Sequence, residues 1–237
     1  MYALMKRISF IRYMKLLIVS PEKKLIHHLF TEEKCVASEL FVMDINNPVY
    51  YRVENNLHEI YWLNCGYGCF ELSAKLSALL SKEKYHLIIY AGQCFSIKEI
   101  ILPNTVVNII NDHPGDFGTM KGNNFMDFYE MGFWDRNSFP HIRGALVNKT
   151  TAYFNAFLPF TKVAACTLNT MDVSNENVLR YRSKYPFDVI SNDGAAFQYT
   201  CMLHRALFYQ LRYVIDKESE NADISFATIF LDLIKKL

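Results

Sequence analysis

The chain has 237 residues, of which 51% are hydrophobic, 15% aromatic and 21% charged, a balance that builds a packed core and excludes extensive disorder. Lysine and arginine total 25 and aspartate and glutamate 24, so the net charge of +1 leaves no general electrostatic footprint for nucleic acid or an anionic membrane. No apolar run approaches the roughly 20 residues that span a bilayer, and the length suits one large α/β domain.

Residues 1–13 mix apolar bulk with Lys6, Arg7 and Arg12, and no small-residue cleavage site follows. Met14 then opens the strand-like run MKLLIVS. The expectation is that translation starts at Met14, that 1–13 is an extension, and that 14–237 is a single domain. Strands are expected over Lys15–Ser20, Glu39–Ile45, His58–Asn64, Tyr85–Ala91, Thr105–Asn111, Val163–Asn169, Phe187–Ser191 and Phe208–Ile215. Helices are expected over Phe70–Lys82, Asn124–Met131, Asn175–Ser183, Asp193–His204 and Ala222–Lys236. The spacing of Leu72, Leu76, Leu79 and Leu80 gives the first helix one apolar face for a sheet. Its strand–helix–strand setting, His58 to Ala91, suits a βαβ unit. Pro114–Thr161, rich in glycine, proline and aromatics, reads as a long excursion from the sheet with one short helix.

Six cysteines are scattered, and the nearest pair, Cys65 and Cys69, lacks the CxxC spacing. They suit reduced thiols in a cytoplasmic protein. The histidines offer no HExxH pattern, and there is no Walker loop and no GxSxG elbow, so no metal and no cofactor are expected.

Four places could carry chemistry. Asn64-Cys65-Gly66-Tyr67-Gly68 joins a strand to a helix, but Glu71 stands where a third glycine of the GxGxxG fingerprint belongs; a plain tight turn competes with a ligand cradle. Tyr90-Ala91-Gly92-Gln93 lies at a strand's carboxyl end, where small residues leave room for a ligand or simply for a turn. Asp193, in Ser191–Phe197, either caps the following helix or accepts hydrogen bonds from two vicinal hydroxyls. Asp216 follows the apolar strand at Arg212–Ile215. It is either a solvated turn acid beside Lys217, Glu218 and Glu220, or an acid that holds a proton for a leaving group.

In chain order these pieces resemble the nucleoside phosphorylase/nucleosidase superfamily, nearest to futalosine hydrolases and methylthioadenosine/S-adenosylhomocysteine nucleosidases. The resemblance runs from Met14–Ser20 through Gly66-Tyr67-Gly68, Ala91-Gly92, Asp116-Phe117-Gly118 and Thr167-Leu168-Asn169-Thr170. It ends in Ser191–Phe197, similar to the Ser-Met-Glu-Gly-Ala-Ala-Phe run of the hydrolases, and Arg212–Asp216, similar to the strand that ends in the catalytic aspartate. It implies a three-layer sandwich with a central mixed sheet, no cofactor, and hydrolysis of the N-glycosidic bond of a purine-type nucleoside. By resemblance Asp216 is the catalytic acid and Glu22 the candidate base. Asp193, Asn192, Gly92, Gln93, Thr170 and Met171 bind substrate, and the chain forms a homodimer.

The pattern is incomplete. Asp193 replaces a glutamate and loses roughly 1.5 Å of reach. Leu25 falls at the ungapped position of the water-activating glutamate, and only a local shift brings Glu22 there. Gln93-Cys94-Phe95 replaces a smaller turn. A nucleoside-binding homologue without catalysis is therefore the alternative reading. For the dimer, the sequence offers Phe125–Phe139, with Phe128, Tyr129, Phe133 and Trp134, as either a subunit contact or rings folded back on their own sheet.

Overall fold

The computed structural model describes residues 14–21, 50–54, 58–122, 124–150, 155–170, 175–215, 229–230, 232–233 and 236–237. Glu39–Ile45, residues 1–13 and most of Ala222–Lys236 lie outside them; residues 229–230, 232–233 and 236 are helical.

The continuous apolar run at Met14–Ser20 forms β1, a strand buried on both faces. It lies between β3 (His58–Asn64) and β4 (Leu87–Ser96), parallel to both, so the chain between those two strands passes over β1. That connection is α1 (Gly68–Lys82), which buries Leu72, Leu76, Leu79 and Leu80 as their spacing requires. Each fully buried leucine contributes roughly 1.5–3 kcal/mol. At position 66 φ is +72°, and the Glu71 carboxylate occupies the space of a side chain there. The turn is thus shaped for its own glutamate, which disfavours an anion at the same spot. Glu71 pairs with Lys75 one turn later.

β2 (Tyr50–Glu54), unassigned in the sequence reading, pairs antiparallel with β3. Its β-favouring Tyr-Tyr-Arg-Val core between two Asn-Asn pairs was the available signal. After β5 (Val106–Pro114) the excursion holds two hairpins: β6 (Gly118–Lys121) with β7 (Asn124–Asp127), and β8 (His141–Ile142) with β9 (Ala145–Val147). The expected helix Asn124–Met131 is therefore wrong. Phe125 and Asp127 turn inward and are 6% and 1% exposed, a period of two. Asp127 then holds the chain by accepting from Tyr185 Oη at 2.9 Å and Arg136 Nη2 at 2.8 Å.

A short 3-10 turn, Asn155–Phe157, leads into β10 (Thr161–Thr167), followed by α2 (Asn175–Arg182), β11 (Val189–Ser191), α3 (Gly194–Leu203) and β12 (Phe208–Ile215). The sheet runs β2-β3-β1-β4-β11-β10-β5-β9-β8, and β12 pairs with both β4 and β5. Strands β4, β11, β10, β5 and β12 consequently close into a ring. All five contribute to one apolar cluster of Cys94, Val107, Ile109, Val163, Ala165, Val189 and Val214. Helices α1 and α3 cover one face of the wider sheet, through Leu76, Leu79, Phe197 and Cys201. Phe157, Phe230 and Leu233 cover the other. The architecture is the expected α/β arrangement around a mixed sheet.

Candidate active site

β4 does not end at Ala91. It pairs with β12 over Ile88 to Phe95, which places Tyr90-Ala91-Gly92-Gln93 in mid-strand, not in a turn. The small residue at 92 makes room for side chains of the protein itself. A Cβ there would overlap the Tyr90 ring and stand 2.9 Å from Arg212 Nη1.

Arg212 sits opposite Gly92 on β12 and is 1% exposed. Its guanidinium lies 4.1 Å from the centre of the Tyr90 ring. Nη2 donates to Asp193 Oδ1 at 2.6 Å, and Nη1 donates to the Gln93 carbonyl at 3.2 Å. The Tyr90 hydroxyl donates to the other carboxylate oxygen of Asp193. Asp193 occupies the N-cap position of α3, yet its side chain makes no capping bond, so the simple helix-cap reading fails. The carboxylate serves a buried ion pair instead. Burial works against the Arg212 cation, but Asp193 and Tyr90 outweigh it and raise its pKa. Burial and then Asp193 push the Tyr90 phenol well above its usual value. Both groups keep their protons, and the triad is a fixed electrostatic unit.

This unit forms the wall of a cavity of about 120 Å³ bordered by Pro21, Tyr67, Gln93, Cys94, Phe95, Asn192, Asp193, Arg212 and Ile215. Three expected substrate-binding residues, Gln93, Asn192 and Asp193, thus come together, with Gly92 directly behind them. Thr170 is exposed and does not border the cavity. Its neighbour Asn169 is tied to Asp116, donating from its backbone N–H at 2.7 Å and from Nδ2 at 2.9 Å. Met171, Glu22 and Asp216 lie outside the described residues, but Glu22 follows Pro21 and Asp216 follows Ile215 in the chain.

Arg212 and Tyr90 were not singled out as site residues. The signal was present in Phe208–Ile215: an arginine inside a largely apolar strand is buried only with an acid. Around the cavity, Cys65 donates to the Gly66 carbonyl and Cys69 to the Asn192 carbonyl, at 3.3 and 3.4 Å. Burial, followed by Asp193, pushes the Cys69 thiol up to about 12, and Cys65 is raised further, so neither is a thiolate nucleophile. Among the described residues no group of three or more His, Cys, Asp or Glu side chains is placed to hold a metal ion, and the five cysteines are free.

A wider groove of about 1000 Å³ lies elsewhere, between Lys121, Phe125, Arg136, Arg180 and Lys184. Its cations are largely matched by local acids: Lys184 pairs with Glu130, Arg180 with Glu176 and Arg136 with Asp127. The smaller cavity has the buried, convergent polar groups that chemistry needs.

Gly194, the first residue of α3, is as constrained as Gly92. A Cβ would overlap Asp112 Oδ2 and Gln210 Nε2 beneath it. Gly194→Ala should cost about 1–3 kcal/mol in a urea titration, the usual penalty for overpacking. A loss below about 0.5 kcal/mol would mean that α3 does not sit this close to the sheet.

No family model and no curated protein sequence matches the chain. Solved structures do. A 5'-methylthioadenosine/S-adenosylhomocysteine nucleosidase from Campylobacter jejuni superposes with a TM-score of 0.73 at 16% identity, over 94% of this chain and 100% of that one. Futalosine hydrolase of Helicobacter pylori gives 0.73 at 14% identity, over 94% and 98%. The S-adenosylhomocysteine nucleosidase of Streptococcus pyogenes, solved in complex with 5-methylthiotubericidin, gives 0.72 at 15% identity, over 95% and 98%. What the chain shares with them is the fold, that of the nucleoside phosphorylases and nucleosidases, as the sequence resemblance implied.

Proposed function

We propose that the protein hydrolyses the N-glycosidic bond of a purine-type nucleoside, futalosine-like or methylthioadenosine-like, without a cofactor. The observation that carries this reading is the cavity itself. A buried Asp193–Arg212 pair forms its wall, and Pro21 and Ile215 border it, so the two candidate catalytic acids each follow a bordering residue. In this mechanism Asp216 protonates a ring nitrogen of the base as the bond to the sugar carbon breaks. Water adds to that carbon, and Glu22 accepts the proton that the water loses. Asn192, Gln93 and Asp193 hold the sugar.

Purified protein incubated in phosphate-free buffer with futalosine, methylthioadenosine, adenosine and inosine should release base from at least one. No release from any of them would defeat the proposal. The second reading, a nucleoside-binding homologue without turnover, draws on one observation: both Asp193 oxygens already accept hydrogen bonds from the protein's own side chains. A nucleoside that raises Tm and is recovered intact would favour it.

The same reading makes the protein a cytoplasmic homodimer. Among the described residues no helix is long and apolar enough to cross a membrane. Phe117 stacks on Phe128 with ring centres 3.9 Å apart and meets Trp134 at 5.3 Å. Phe133 and Phe139 beside them are 65% and 72% exposed. Exposed rings of this kind suit a subunit contact. Light scattering should give the mass of two chains at micromolar concentration, reduced to one by Trp134→Ala with Phe133→Ser. A monomeric wild type would remove the assembly, and a dimer indifferent to both changes would remove this surface.

A further inference from the structure

Beneath α3 the sheet carries a polar seam unusual for a protein interior. Asn108 and Asp112 on β5, Gln210 on β12, Gln198 on α3 and Ser191 at the end of β11 are all fully buried. Asp112 lies at its centre. Thr167 Oγ1 donates to Asp112 Oδ1 at 2.8 Å, and Gln210 Nε2 donates to Oδ2 at 3.2 Å. The same Thr167 oxygen accepts the Ala195 N–H at 2.7 Å. Ala195 is in the first turn of α3, two residues after Asp193. Since the Asp193 side chain does not cap α3, a hydroxyl from β10, held by an acid from β5, does so instead.

Two protonation states of Asp112 both have partners here. The carboxylate accepts from Thr167 and Gln210. The acid form needs an acceptor, and Gln210 Oε1 is buried with no hydrogen-bond partner among the described residues, so a flip of that amide provides one. The acid is nearer to donor–acceptor balance with Gln210, whereas the carboxylate grips Thr167 through a charge-assisted bond.

We propose that Asp112 is a positioning residue of the site: through the Thr167 hydroxyl it fixes the first turn of α3, and its protonation state sets how firmly Asp193 and Asn192 are presented to the cavity. The inference rests on the proposed nucleoside site for its consequence, but not for its geometry. Among the described residues the ionisable groups facing Asp112 are few. Arg212 on β12 favours the carboxylate, and Asp193 at the start of α3 opposes it. Cys166 on β10 and Cys69 on α1 face it as neutral thiols, their pKa values raised chiefly by burial. Burial dominates for Asp112 and pushes its pKa up to about 7 in spite of the two hydrogen bonds. The carboxyl therefore titrates in the physiological range.

The test follows the Ala195 amide resonance by NMR from pH 5.5 to 8.5 in the wild type, Asp112→Asn and Thr167→Val. In the wild type it should titrate with a midpoint near 7, and in both variants it should not. Asp112→Asn keeps the shape of the acid form and its bond to a flipped Gln210. Thr167→Val cuts the link at the hydroxyl and leaves Asp112 in place with Gln210 as its partner. The consequence is read by calorimetry with 5-methylthiotubericidin as the probe, a nucleoside analogue that carries the sugar which Asp193 and Asn192 hold: wild-type affinity should rise about tenfold from pH 6 to pH 8, the worth of one charge-assisted hydrogen bond, and stay flat in Asp112→Asn. An Ala195 resonance that titrates equally in Asp112→Asn, or does not titrate in the wild type, would overturn the proposal, as would identical pH profiles of affinity for the analogue. Failure of the analogue to bind at any pH would instead count against the nucleoside site, and the Ala195 titration would still decide the role of Asp112.

Discussion

Replacing Arg212 with methionine should destabilise the protein by about 3–5 kcal/mol, the usual cost of stripping one partner from a buried ion pair. Methionine matches the arginine stem in length and fills the space over the Tyr90 ring, so the loss reports on charge more than on volume. What remains is Asp193, 1% exposed, with the Tyr90 hydroxyl as its one side-chain donor among the described residues. The control is the double variant Arg212→Met with Asp193→Leu. It removes both charges, and most of the lost stability should return, because a matched apolar pair in the interior often equals the ion pair it replaces. Urea titrations of the two single variants and the double give the coupling energy directly. A cost for Arg212→Met below about 1 kcal/mol, the range of a solvated surface pair, would show that Asp193 and Arg212 are not the closed unit described here.

The same pair marks where the sequence was legible and where it was not. MKLLIVS, the leucine face of α1 and the run Phe208–Ile215 announced their elements, because each pattern is local and each element buries what the pattern offers. The start of α3 was found as well: the helix expected over Asp193–His204 runs over Gly194–Leu203. Gly92 misled. It looked like the end of a strand, whereas the strand continues because β12 pairs with it along eight residues and the missing side chain gives way to Tyr90 and Arg212. Asn124–Met131 misled as well, since its apolar residues fit a helix turn as readily as an alternating strand, and only Asp127's contacts with Tyr185 and Arg136 select the latter. Asp193 borders the cavity, but its two partners arrive from strands about 20 and 100 residues away, separations at which spacing carries no information.

Asp216→Asn should lower the rate of base release by about 10²–10⁴-fold, the typical contribution of a positioned general acid. The argument begins with the leaving group. A purine departs as a poor anion unless a ring nitrogen is protonated, so the acid must carry a proton at neutral pH. In the proposed mechanism Asp216, which follows Ile215 in the chain, carries that proton. Asparagine keeps the size and can still hydrogen-bond the base, but it has no proton to give. Binding of adenine should therefore change little while turnover falls, and Tm should stay within about 1–2 °C of the wild type, since an isosteric exchange of one carboxyl for an amide has a small effect on stability. Glu22→Gln should also slow turnover, because an amide does not take up the proton that the water loses. The two variants separate the readings of this site. A wild type that releases base and an Asp216→Asn variant that retains more than about half of that rate would remove Asp216 from the mechanism and leave the acid to be sought elsewhere around the cavity.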